Sequence, residues 1–246
     1  MTYTEYDKRV LPVVLLAIIF LSVLLALLLR RSSMRLRSIP TSAVAILLLI
    51  LEVIKQRWNF TGEFDTYYLP FHYCSLFLVV IPLAELCGPR MSRIFRPIAA
   101  FMSFVVSCAM YIAPQGIIGN ACETFGQSFY RTHTFIFHHL VVLYLALTVA
   151  LGLFRPRLRD VLGVGALGVL YAAVAIPLSY KLNTNYCNYL ESVIPFMEDI
   201  RLTYGQIPYD ILLTLCLTVG VMLGSLLLMG VYKLISLCFK GNKKRN

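Results

Sequence analysis

Seven long apolar segments, separated by connections that alternate between basic and acidic, dictate the solvent in which this chain folds. Apolar residues make up 59% of it and charged residues only 14%, whereas a soluble domain carries about a quarter charged. The segments run Val10–Leu29, Ile39–Ile54, Leu69–Cys87, Ile94–Ala113, Thr132–Phe154, Val161–Tyr180 and Ile207–Leu237. Crossing a bilayer takes roughly 20 apolar residues. The second segment is short, with Glu52 near its end, and the last is long enough to tilt. Within lipid only helices satisfy their own backbone groups. The expected fold is therefore all-α: one domain over residues 1–246, a bundle of seven transmembrane helices, closed by a basic tail at 240–246. Arg30-Arg31 follows the first segment directly, with no small-residue cleavage site, so that segment reads as a retained span.

The net charge of +10 is distributed as membrane topology requires rather than as a nucleic-acid surface. Arg30, Arg31, Arg35 and Arg37 follow the first span; Arg90, Arg93 and Arg96 the third; Arg155, Arg157 and Arg159 the fifth; Lys240, Lys243, Lys244 and Arg245 close the chain. The other connections carry Glu63, Asp65, Glu123, Glu191, Glu198 and Asp199. By the positive-inside rule the N-terminus is outside and the C-terminus cytosolic. The expected location is a bacterial plasma membrane, with membrane phospholipids as partners and no nucleic acid. The seven cysteines contain no C-x-x-C pair, and no metal or other cofactor is expected. Cys122 and Cys187 both fall on outer connections, where an oxidising exterior would allow a disulfide. Asn59-Phe60-Thr61 fits a glycosylation sequon. No G-x-x-x-G stands out as a dimer face, and the oligomeric state is not legible.

With that orientation, polar side chains from five spans share the outer half of the bundle. His72 and Cys74 stand at the start of the third span and His138 and His139 about two turns into the fifth. Asn183, Asn185 and Tyr186 follow the sixth, Asp210 begins the seventh, and Glu52 and Lys55 end the second. Ionisable groups at such depth are costly and mark functional sites. Pro70 suits a first helical turn, which would set Cys74 where the helix dipole favours a thiolate. A thiolate beside an imidazole is a nucleophile fitted to acyl transfer. His72 lies on the opposite side of an ideal helix from Cys74, so a fifth-span histidine is the better base; His138 and His139 point about 100° apart, and either one can face the thiol. His72, Asn183 or Asn185 would donate to the oxyanion, with Tyr186, Asp210 and Glu52 in the substrate site. Against this stand ordinary structural roles: Asn183 and Asn185 ending a helix, Asp210 capping one, and Glu85 pairing with Arg90 or Arg93.

The run Leu69-Pro70-Phe71-His72-Tyr73-Cys74-Ser75-Leu76 resembles the LP-x-H-x-C-S-L signature of the YwaF-type integral membrane family. Phe135-Ile136-Phe137-His138-His139-Leu140, Asn183-Thr184-Asn185-Tyr186 and the aromatic–proline start of the seventh span extend the match in order. That family is similar to eukaryotic transmembrane protein 164, regarded as a phospholipid acyltransferase with a cysteine nucleophile. The resemblance implies an intramembrane lipid acyltransferase. Cys74 would take an acyl chain from a phospholipid and pass it to a lysophospholipid-type acceptor, with His138 or His139 as base. Two other readings compete: a non-enzymatic receptor or transporter, and a metal site drawn from His72, Cys74, His138, His139 and Glu52.

Overall fold

A computed structural model describes residues 3–242, with side chains through residue 234; the basic tail from 243 onward lies outside the described residues. Among these the regular structure is helical throughout. The helices are α1 (Glu5–Leu29), α2 (Met34–Thr61), α3 (Phe77–Glu85), α4 (Gly88–Ile112), α5 (Pro114–Ile117), α6 (Phe129–Ala150), α7 (Leu158–Leu182), α8 (Pro195–Tyr204) and α9 (Gln206–Asn242). Six of them, α1, α2, α4, α6, α7 and α9, are long and apolar enough to cross a membrane. Their ends follow the capping rules. Thr4 and Asp7 form a reciprocal capping box at α1, and Asn183 closes α7 in the left-handed conformation at φ 48°. Pro12, Pro40, Pro97 and Pro177 lie inside long helices, where membrane helices tolerate them.

The third apolar segment departs from expectation. Instead of a continuous helix over Leu69–Cys87, it begins as 3-10 turns at Thr66–Tyr68 and Tyr73–Leu76 joined by extended backbone; only then comes α3, nine residues long. Leu69 precedes Pro70 and is extended, φ −64° and ψ 152°, because the proline ring crowds the helical region of the residue before it. The segment nevertheless traverses most of the bundle. Gln56 of α2 donates to the Tyr68 carbonyl (2.9 Å), and Thr41 of α2 donates to Glu85 at the other end (2.7 Å). Fifteen helical residues separate Thr41 from Gln56, about 22 Å of travel.

Non-helical backbone at this depth survives only when protein groups satisfy it. Four side chains do so here. Tyr186 donates to the Thr66 carbonyl, the His72 ring nitrogen Nε2 to Tyr67 (3.0 Å), Gln56 to Tyr68, and Tyr171 to Phe71 (2.8 Å). The 3-10 turn carrying Cys74 is held by this clamp.

The core lies between α2, α3, α4 and α6, with Phe77, Phe101, Met102 and Tyr144 fully buried. α1 packs on α6, and α9 packs on α7 and α4. At the foot of the bundle Glu85, its side chain fully buried, takes a bidentate bond from Arg96 (2.8 Å each). It also accepts from Tyr144 (2.9 Å) and Thr41. Its cation is thus Arg96, on α4, rather than Arg90 or Arg93: α4 folds straight back along α3, which brings its third turn to the carboxylate. α8 lies on the loop between α7 and α9, where Arg201 and the Ser192 N–H hold the Glu198 carboxyl down to about 2.

Gly224 and Gly168 set the packing distances of α9. A Cβ at Gly224 would come within 2.5 Å of the Val105 side chain on α4, and one at Gly168 within 2.8 Å of Thr218. Gly224→Leu should therefore cost about 1–3 kcal/mol, read as a lowered Tm in detergent; Gly220→Leu, with open space around it, should cost little.

Candidate functional site

The polar residues expected to share one half of the bundle sort into three groups instead of one. The first joins α2, α6 and the irregular segment. The Glu52 carboxylate is bound by Lys55 (2.9 Å) and by the Gln56 amide (2.6 Å), and His133 Nε2 lies 3.9 Å from it. Only about 12% of the Glu52 and Lys55 side chains is exposed. His138 lies in electrostatic reach of His72, His139 and Lys55, and His133 in reach of His138 and Lys55. The chain has four histidines, and α6 carries three of them on its N-terminal half.

Tautomers follow from the bonds. His138 Nδ1 meets the Thr134 carbonyl at 2.8 Å and His139 Nδ1 the Phe135 carbonyl at 2.7 Å. A carbonyl can only accept, so each Nδ1 carries the proton and each Nε2 presents a lone pair. Nε2 of His133, His138 and His139 is buried without a hydrogen-bond partner. The two adjacent imidazoles differ in surroundings. His138 has His72 in reach, while His139 packs on the Phe135 ring, centroids 4.1 Å apart.

The second group surrounds Cys74. This thiol is partly buried against the main core, which includes Phe137 of α6. It lies in the 3-10 turn ahead of α3, not in the first turn of a long helix. Its electrostatic neighbour is the Cys187 thiol, which contacts the Tyr171 hydroxyl and the Tyr73 backbone. No hydrogen bond joins Cys74 to an imidazole: three of the four leave Nε2 unpartnered, and the fourth, His72, spends it on Tyr67. Cys187 is held at φ 52°, outside the usual range for a side-chain-bearing residue. Cys122 and Cys187 are free thiols in different clusters, Cys122 beside Leu11 and Met110 and Cys187 beside Tyr171 and Tyr189. The disulfide that the sequence allows between them is not formed, because the two loops pack in different parts of the bundle.

The third group is Asp210, which accepts from Tyr180 (2.8 Å) and Gln206 (3.0 Å) between α7 and α9. It lines a hollow of about 560 Å³ with Ala172, Ile176 and Thr214. Several residues expected at the substrate have structural work instead. Tyr186 is fully buried and spends its hydroxyl on Thr66. Asn185 accepts from Leu190 N–H (2.9 Å) and donates to the Glu191 carbonyl (2.9 Å), and Asn183 is the exposed cap of α7. Both meet the loop's own backbone needs. Asn59 is fully buried and exchanges bonds with the Asp65 backbone at 3.0 and 3.1 Å, so the sequon offers no accessible amide. His133, Gln56 and Tyr171 were not singled out from sequence. His133 sits one turn before Phe137 on α6, with no motif around it that marks it.

The signature residues are thus placed on one irregular segment, with an imidazole-bearing helix behind it. The TMEM164 family model matches residues 5–228. The chain belongs to the TMEM164 family. No curated protein and no solved structure matches it. The match takes in five of the six long apolar helices, α9 as far as Leu228, the clamped segment and all three polar groups of this family member. It is a multi-pass membrane protein. Among its described residues no group of three or more His, Cys, Asp or Glu side chains is arranged to hold a metal ion.

Proposed function

We propose that this protein is an intramembrane lipid acyltransferase with Cys74 as nucleophile and His138 as base. The observation that carries the reading is His138 itself: a buried imidazole with Nδ1–H fixed on Thr134 and an open Nε2 lone pair, in reach of His72, two residues from Cys74. Membership of the TMEM164 family supports it. His138 Nε2 takes the Cys74 S–H proton and the thiolate adds to an ester carbonyl of a phospholipid. The carbonyl–oxygen bond to glycerol breaks, and the imidazolium proton passes to the departing alkoxide. A lysophospholipid hydroxyl, deprotonated by His138, then attacks the thioester and releases the thiolate.

The same reading sets the chain in a plasma membrane with its N-terminus outside and its C-terminus cytosolic. The bilayer is crossed seven times, the third crossing by the clamped segment and α3 together. Alternation of basic and acidic connections supports it.

The decisive experiment incubates purified protein with a radiolabelled-acyl phospholipid, quenches in acid and maps the label. The expected result is a hydroxylamine-sensitive acyl group on Cys74. Intact protein that exchanges acyl chains between lipids with Cys74 unmodified, or that shows no exchange with any phospholipid donor, overturns the proposal.

A further inference from the structure

A second hollow, of about 520 Å³, opens at the outer end of α2 and α6, walled by Trp58, Gly62, Glu63, Phe64, Asp65, Tyr68 and Tyr130. Its size falls within the roughly 300–1,000 Å³ of small-molecule sites. The aromatic walls are braced. Tyr68 and Tyr130 stack face to face with centroids 3.5 Å apart, Trp58 stacks on Phe129 at 5.2 Å, and Phe64 on Phe60 at 5.3 Å. Asn59, bonded on both sides of the Asp65 peptide, fixes the loop that forms the rim.

Two carboxylates stand among these rings. Asp65 spends Oδ1 on the Tyr67 N–H (2.8 Å) and has no ion pair; Glu63 is exposed and has none either among the described residues. A positive charge, Arg131, lies in electrostatic reach of Tyr68. An interfacial belt of Trp and Tyr is common in membrane proteins, but it anchors a helix without needing a braced hollow or unpaired acids. Aromatic faces with carboxylates on the rim attract a weakly hydrated organic cation through cation–π and Coulomb terms together.

We propose that this hollow binds an alkylated ammonium cation, presented as a lipid headgroup or as a free solute. The site needs no acyl transfer and stands whether or not Cys74 is ever acylated.

The chain has one tryptophan, Trp58, so its fluorescence reports on this wall alone. The full protein in maltoside micelles would be titrated with choline chloride and, separately, with choline's neutral carbon isostere, in which tert-butyl replaces trimethylammonium. A saturable Trp58 response to choline and not to the isostere is expected, weakened about tenfold or more in the Glu63→Gln/Asp65→Asn double variant. Asn at 65 retains the acceptor for Tyr67 N–H, and an unchanged Tm would verify the fold. An equal response to the isostere, no saturable response to choline, or an unchanged affinity in the double variant overturns the proposal. Nanodiscs of phosphatidylcholine and of phosphatidylglycerol separate the sources. A Trp58 shift in phosphatidylcholine discs that free choline cannot add to assigns the lipid headgroup, and a response to free choline in both discs assigns the solute.

Discussion

Glu85→Ala should cost this protein about 3–5 kcal/mol, the largest stability loss expected from a single side chain. The carboxylate is wholly buried and is the shared acceptor for Arg96, Tyr144 and Thr41. Its removal strands a guanidinium of which only 14% of the side chain is exposed, together with the buried Tyr144 hydroxyl, whereas Thr41 keeps its bond to the Ser38 carbonyl (2.9 Å). An uncompensated buried charge is far costlier than the loss of both partners. The double variant Glu85→Leu/Arg96→Met should accordingly recover much of the deficit. In detergent the single variant should show a Tm lower by on the order of 10 °C, given roughly 2–4 °C per kcal/mol at this chain length. A double variant no more stable than the single one would mean that the pair contributes through geometry rather than charge.

Cys74→Ser should reduce acyl transfer by about 10³-fold or more while leaving Tm within a degree or two. It exchanges a good nucleophile for a poor one at nearly constant volume. His138→Ala should lower the rate about 10²–10⁴-fold, the usual worth of a general base. His139→Ala, whose ring packs on Phe135, should alter stability more than rate. The contrast between the two neighbouring alanine variants is the sharper measurement, because both remove the same volume from the same helix turn. Equal rate losses at 138 and 139 would remove the assignment of His138 as base.

The spans were legible because bilayer thickness and backbone hydrogen bonding leave few solutions, and six of the seven apolar segments became long helices. The seventh shows what hydropathy omits. Pro70 reads as the first turn of a helix, yet the third segment stays irregular as far as Leu76, a length that depends on Gln56, Tyr171 and Tyr186, whose amide and hydroxyls meet its carbonyls from elsewhere in the fold. Nothing local to residues 66–76 announces those partners. The site was read in the same uneven way. Position along a span gave the common depth of Glu52, His72 and His138, but depth says nothing of azimuth. Asp210 therefore went to the α7–α9 side and Cys187 arrived beside Cys74 instead of Cys122. Asn183 and Asn185 were ambiguous between a cap and a hydrogen-bond donor to substrate, and the loop backbone claimed them. His133 escaped notice because one more histidine on an apolar helix carries no motif; only its 3.9 Å approach to Glu52 distinguishes it.

The clamp on the third segment has a bearing on biogenesis. The carbonyls of Thr66 and Phe71 find their donors 120 and 100 residues further along the chain, at Tyr186 and Tyr171. While the ribosome has delivered only the first four helices, that stretch has carbonyls that lipid cannot satisfy and water can. The segment should then wait in the headgroup layer until α7 and its following loop emerge, and slide inward afterward. In nascent chains stalled before residue 171, a cysteine placed at 71 should react with an aqueous maleimide, and it should become protected once residue 190 has left the ribosome.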